Sequence, residues 1–173
     1  METTDVLTAA RRILKTVDFG FFVTQGETQP SVRMVARLHI DGDLRMTFAT
    51  SAQTRKAREL RSNPRASYSV ADIVPGDSTT GAAVCLYGTA TIDEDLDHRR
   101  SAWRPGLARW FPDGPEGFGF ILVTLVPDRI ERWSAQDGIM PGLASAVLTR
   151  SAGGWSRPTT TLPNRTGDRL YRH

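Results

Sequence analysis

Residues 30–50 constrain the fold more than any other part of the chain. Val32, Met34, Ala36, Leu38 and Ile40 alternate with Arg33, Val35, Arg37 and His39. That is the two-residue period of a strand with one apolar and one partly basic face. Asp41-Gly42 follows, a strong hairpin signal, and Leu44 to Thr50 returns as the partner strand. A two-residue loop pairs Ile40 with Asp43, and the register then runs back to place Arg33 opposite Thr50, with both side chains on one face.

The rest of the chain repeats the strand theme. Phe19–Thr24, Ala66–Ala71 and Val84–Ile92 read as strands, as does a long run from Phe118 through Val126 and past Pro127 to Trp133. Ala144–Thr149 and Trp155 suggest a last hairpin around Ser151–Gly154. Helices are few. The stripe Val6, Leu7, Ala10, Ile13, Leu14 and Val17 predicts one at the start, with Thr3, Thr4 or Asp5 as cap. A second runs from about Ala52 to Ser62 and is stopped by Asn63-Pro64. A third, within 95–110, breaks at Pro105-Gly106. Many antiparallel strands with a few short helices predict a mainly β (α+β) barrel.

The chain's 173 residues suit one domain with a sizeable core. Residues 1–143 are expected to form the barrel. Residues 144–173 add a hairpin and a polar tail, part of the same domain or partly disordered. A net charge of +3 does not call for nucleic acid, and the arginines of the second helix lack the interleaved aromatics of a single-strand platform. The single Cys85 excludes an intrachain disulfide and a Cys-based zinc cluster, and it reads as a small buried hydrophobe. His39 and His98 read as solvated or packed, and three scattered histidines give no metal spacing. No apolar run reaches membrane-spanning length and no signal-peptide core is present, which predicts a soluble cytoplasmic protein without a membrane partner.

The second helix carries an anomaly. Arg55 and Lys56 fall in its first turn, where the macrodipole disfavours cations by a few tenths of a kcal/mol. Ser51 is the plausible N-cap, with Thr54 at the third helical position. Arg33, Thr50, Thr54, Arg55, Lys56 and the free N–H groups of a helix N-terminus then converge, which is a site for a phosphate. A bound dianion makes the misplaced cations favourable; the alternative is a solvated basic helix face.

These residues resemble the pyridoxamine-5′-phosphate-oxidase-like FMN-binding split barrels over roughly Leu7 to Ser134. The resemblance rests on Arg33-Met34-Val35, Phe48-Ala49-Thr50, Thr54-Arg55-Lys56 and Asn63-Pro64, in family order and spacing. It implies a six-stranded antiparallel Greek-key split barrel with flanking short helices. It also implies that Arg33, Thr50, Thr54, Arg55 and Lys56 hold the FMN phosphate. Met34 belongs to the same stretch, and Val35 and Ala49 lie along the ribityl chain and ring. Arg132-Trp133-Ser134 is similar to the family's late Trp-Gln element, which places Trp133 near the flavin. Trp110-Phe111-Pro112-Asp113-Gly114 is similar to a loop of the general-stress-protein branch. The family pattern further implies a homodimer with flavin at the interface. The two-sided apolar run Phe118, Phe120, Ile121, Val123 and Leu125 agrees with such an interface.

Two departures matter. The true oxidase has an Arg-Leu-His-Asp-Arg stretch after its Trp-Gln, whereas Ala135-Gln136-Asp137-Gly138-Ile139-Met140 stands here. Vitamin B6 oxidation is therefore not expected. Ala83 stands where a glutamine often reaches the flavin. The expected function is an FMN-dependent oxidoreductase acting on a small molecule, with unassigned catalytic residues. The alternatives are a deazaflavin-dependent reductase and a non-catalytic flavin-binding stress-response protein. Trp103 and Trp110 either wall a pocket or pack in a core or interface.

Overall fold

A computed structural model of the chain describes residues 2–77, 80–136 and 146–158. Helix α1 (Thr3–Thr16) buries Val6, Ala10, Ile13 and Leu14, the predicted stripe. Its cap is Glu2, one residue earlier than expected, and the Glu2 backbone N–H donates to the Asp5 carboxylate at 3.2 Å. Strand β1 (Phe19–Gln25) follows, then β2 (Pro30–Ala36), β3 (His39–Ile40) and β4 (Met46–Ser51). Helix α2 (Arg55–Ser62) leads into β5 (Arg65–Asp72) and β6 (Ala82–Asp93). Helix α3 (Leu96–Ala102) and a 3-10 turn (Pro105–Arg109) precede β7 (Phe120–Ser134), and β8 (Ala146–Ser151) and β9 (Gly154–Ser156) form the last hairpin.

All strand pairs are antiparallel, in the order β2-β1-β5-β6-β7-β4-β3, with the β8–β9 hairpin added to β7. Strands β5, β6 and β7 form a meander. β4 lies beside β7, and the α2 connection carries the chain from β4 across the barrel to β5, a Greek-key arrangement. The six strands β1, β2, β4, β5, β6 and β7 make the barrel body.

The predicted strand over residues 32–40 divides, and its two halves choose different partners. β2 pairs with β1, Arg33 lying opposite Phe22, while β3 pairs with β4, His39 opposite Thr47. Two backbone bonds mark the switch: Arg37 N–H donates to Asp18 at 2.8 Å and Leu38 N–H to Thr47 at 2.9 Å. One chain segment thus joins the two ends of the sheet and closes the barrel. The expected register, with Arg33 opposite Thr50 and Ile40 opposite Asp43, does not occur; Ile40 faces Met46. The reason is local. The Asp41 carboxylate accepts from the Asp43 and Arg45 N–H groups at 2.8 and 2.9 Å, and Leu44 adopts φ 64° while fully buried. Burial of a leucine contributes about 1.5–3 kcal/mol, enough to offset the left-handed conformation's 1–2.

β7 accommodates Pro127 through a bulge opposite Tyr87–Gly88. Gly88 is required there, because a Cβ would stand 2.0 Å from the Val126 carbonyl oxygen. Phe120, Ile121, Val123 and Leu125 are all buried within the single chain. The ring of Phe120 meets Trp103 and Phe111 edge-on at centroid distances of 5.3 and 4.9 Å. The two-sided apolar run is therefore covered by the chain itself and gives no support to a subunit interface; only Phe118 of that set stands free, at 99% exposure.

The uncovered apolar surface lies elsewhere. Phe19, Phe21, Val32 and Met34 are 56–63% exposed on the outer face of the β1–β2 hairpin, with Phe21 opposite Met34. Among the described residues no helix is long and apolar enough to cross a membrane.

Candidate functional site

Helix α2 lies over one mouth of the barrel and buries Ala57 and Leu60 beneath it. Its cap is Thr54, whose hydroxyl accepts from Ala57 N–H and donates to the Ser51 carbonyl at 2.8 Å. The expected helix start at Ala52 and the cap at Ser51 are thus corrected. Residues 51–54 form a turn instead, in which Ser51 Oγ accepts from Gln53 N–H at 3.3 Å. Arg55 and Lys56 do occupy the first turn, and no acidic residue accompanies them there.

Inward-facing side chains of β1, β2 and β4 meet Lys56 and Glu59 of this helix. Lys56 Nζ donates to the buried Thr50 hydroxyl at 2.8 Å. Burial and the nearby Arg33 charge both lower the Lys56 pKa. The chain has twenty arginines and two lysines, so a lysine here is notable; its ammonium is a compact point charge with three donors rather than a planar fork.

Arg33 is engaged with another group. It donates to the Thr24 hydroxyl, and its other terminal nitrogen donates to Glu59 at 2.7 Å. Glu59, the one acid of α2, also accepts from Thr24 and from Ser31, the latter at 2.8 Å, and sits 3.4 Å from Arg55 Nε. Its side chain is 11% exposed. Burial alone would push this carboxyl up, but hydrogen bonds from Thr24, Ser31 and Arg33 outweigh it and bring it down to about 2. Glu59, Thr24 and Ser31 were not singled out in the sequence. The available signal was spacing, since Glu59 stands four residues after Arg55 and points toward the same helix face.

The site residues implied by the sequence thus separate into groups. Arg33, Thr50 and Lys56 converge beneath α2, with Thr54 as its cap and Arg55 at the rim. Val35 is buried in the same strand. Met34 points to the outer face, and Ala49 lies on the face of β4 opposite to Thr50. Trp133, paired with Ala83, shares the outer face that carries Phe21 and Met34, as the cross-strand row Met34–Phe21–Ser69–Cys85–Glu131 shows for its neighbour two residues back. The buried indole N–H of Trp133 has no hydrogen-bond partner among the described residues. Residues 137–140, part of the stretch that departs from the true oxidase, lie outside the described residues, as does the tail beyond 158.

The other candidates resolve more simply. Cys85 is half-buried rather than buried and donates to Ser69 Oγ at 3.3 Å. His98 is exposed and has a partner after all: its Nδ1 is 2.8 Å from Asp93, an interaction that raises its pKa. Trp103 packs on Phe120, whereas Trp110 is exposed. Trp110, Phe111 and Pro112 line a shallow cavity with Ser51, at the end of β4.

A family model for "pyridoxamine 5′-phosphate oxidase like" proteins matches residues 5–153. No curated protein sequence matches the chain. Among solved structures, the chain is similar to a Clostridium acetobutylicum protein related to general stress protein 26. Identity is 18%, the TM-score is 0.69, and 86% of this chain and 96% of that one are covered. A heme-binding protein from Mycobacterium smegmatis aligns at 16% identity and TM-score 0.59, covering 87% and 85% of the two chains. A FAD-binding protein from Mesorhizobium loti aligns at 16% identity and TM-score 0.58, covering 72% and 91%. These likenesses agree with the split-barrel architecture, and the family match spans strands β1 to β8 and stops before β9. The chain belongs to the pyridoxamine 5′-phosphate oxidase-like family.

Proposed function

We propose that the protein is an FMN-binding oxidoreductase acting on a small molecule, working as a homodimer. The observation that carries this reading is the corner formed by Lys56 and Thr50. Among the described residues Lys56 has one hydroxyl partner and no carboxylate, which leaves two of its three N–H bonds for a ligand. It adjoins the first N–H groups of α2, which lack intrahelical acceptors, and the exposed guanidinium of Arg55. That donor set fits a phosphate. A haem iron takes His, Cys, Met or Tyr, and the residues that converge in this mouth are of other kinds.

In this reading Lys56, Thr50, Arg55 and the α2 N-terminus hold the phosphate. Met34, Ala49 and Trp133, which lie on the outer faces of their strands, are assigned to the rest of the cofactor, with the buried Val35 behind them. The bound flavin supplies the electron transfer; the chain binds it, orients it and keeps water from the ring. The FAD-binding Mesorhizobium protein supports flavin chemistry on this fold. The homodimer rests on the exposed Phe19, Phe21, Val32 and Met34, an apolar face that one chain leaves in water. Pyridoxine phosphate is not the proposed substrate, because the residues after Trp133 lack the oxidase's Arg-His stretch.

Titration of the purified protein with FMN and riboflavin tests the site. FMN should bind more tightly than riboflavin, and Lys56→Ala should weaken FMN about tenfold to a hundredfold while leaving riboflavin unchanged. Equal binding of the two flavins by wild type would overturn the phosphate assignment. A bound chromophore with a deazaflavin spectrum would replace FMN by the alternative cofactor.

A further inference from the structure

We propose that Glu59 is the resident counter-ion of the phosphate seat: it holds Arg33 and Arg55 while the seat is empty, and it thereby sets how strongly a dianion is bound. The proposal rests on the phosphate reading above and assigns a specificity-determining residue within it.

Glu59 has a partner at every side. Oε2 takes Thr24 and Arg33; Oε1 takes Ser31 at 2.8 Å and faces Arg55 Nε at 3.4 Å. Those partners come from β1, β2 and α2, so the carboxylate ties the hairpin to the helix. They also include two of the three cations at the site. The third, Lys56, has only a hydroxyl. The mouth therefore holds three positive charges and one negative charge, and the negative charge is placed where it neutralises Arg33 first.

A ligand phosphate beside Lys56 and Arg55 draws on the same cations as Glu59. The two anions repel at short range in a partly dehydrated mouth, where such repulsion is strong. Arg33 spends two of its five N–H donors on Thr24 and Glu59, and the Glu59 carboxylate neutralises its charge, so a phosphate meets a cation that is already paired. Glu59 thus stabilises the cofactor-free protein at the expense of cofactor affinity. The same residue resolves the misplaced cations of α2: the empty helix has a compensating acid, one turn further along.

The test compares wild type with Glu59→Gln, reading FMN and riboflavin affinity together with the thermal midpoint with and without FMN. Glu59→Gln should lower the midpoint of the cofactor-free protein, bind FMN roughly tenfold more tightly, leave riboflavin unchanged, and gain more degrees from FMN than wild type does. A residue that only fastens α2 to the hairpin would lower the midpoint and leave FMN affinity unchanged or weaker, and that result overturns the proposal. Wild type that does not distinguish FMN from riboflavin overturns the phosphate reading itself, and the proposal with it. Should Glu59→Gln not fold, the double variant Arg33→Met/Glu59→Gln removes both charges. It should keep FMN affinity within about threefold of wild type, since the removed charges cancel. A loss of tenfold or more would instead make Arg33 a direct phosphate ligand and contradict the neutralising role of Glu59.

Discussion

Strand β2 serves two regions of opposite character. Its inward side chains, Ser31 and Arg33, enter a polar mouth beneath α2 where each is hydrogen-bonded to Glu59. Its outward side chains, Val32 and Met34, lie with Phe19 and Phe21 on an apolar face that no described residue covers. The inner region is electrostatically complete apart from Lys56. The outer region is apolar and exposed among the described residues. Adjacent residues of one strand thus belong to surfaces of different kinds: the first takes its partners from α2, the second is the face assigned to the proposed dimer.

The largest effect is expected in the inner region. Arg33→Ala leaves Glu59 and Thr24 without their shared donor in a mostly buried place, and should lower the stability of the cofactor-free protein by about 3 kcal/mol or more, read from urea unfolding. A change within 0.5 kcal/mol would mean that the mouth is hydrated and the pair unimportant, as for typical surface substitutions at about that level.

Met34→Asp addresses the outer face. It should weaken dimer association roughly hundredfold, a cost of about 3 kcal/mol for an unpartnered charge in an apolar interface, while the fold by circular dichroism stays as in wild type. If Met34→Asp unfolded the chain instead, the outer face would belong to the core and the contrast with the inner region would fail.

Acid separates the two regions further. The Glu59 carboxyl is lowered from its ordinary 4.5 to about 2 in the folded protein. Folding therefore favours the ionised form, and its contribution is fully present above about pH 4.5 and is lost as pH falls toward 2. The stability difference between wild type and Glu59→Gln should accordingly be largest near neutral pH and shrink across that window. A difference independent of pH between 6 and about 2 would show that the charge of Glu59 does not matter.

The smallest effect concerns a polar atom that neither region satisfies. The Tyr68 hydroxyl is buried without a hydrogen-bond partner among the described residues, and burial pushes its pKa up to about 12. Tyr68→Phe should raise stability by about 1 kcal/mol, because an unsatisfied buried hydroxyl costs about that much. A loss of stability would reveal a hydrogen bond from this hydroxyl in solution.

Much of this arrangement is legible in the residues. The α1 stripe, the β1, β5 and β6 strands, the stop of α2 at Asn63-Pro64 and the break at Pro105 follow from local periodicity and proline chemistry. The convergence of Arg33, Thr50 and Lys56 is also foreseen, though by the wrong register: the residues meet because α2 folds over the barrel mouth, not because β2 pairs with β4. Periodicity showed that Val32 and Met34 share a face, but not whether that face is turned inward, since an apolar face can be covered by the same chain or by another. The change of partner at Arg37-Leu38 leaves no local mark, because closure of a barrel is a long-range property. Glu59 was passed over for a related reason. An acid among cations on a helix reads as a surface pair until the strand beneath it is known.

The contrast between a mouth finished in one chain and a face assigned to the proposed dimer is tested most directly by sedimentation velocity at low micromolar concentration, followed at the visible absorbance of the flavin after FMN is added. The account predicts that the flavin sediments with a dimer and leaves the protein when dilution or Met34→Asp separates the subunits. Flavin that sediments at full occupancy with a stable monomer would contradict it.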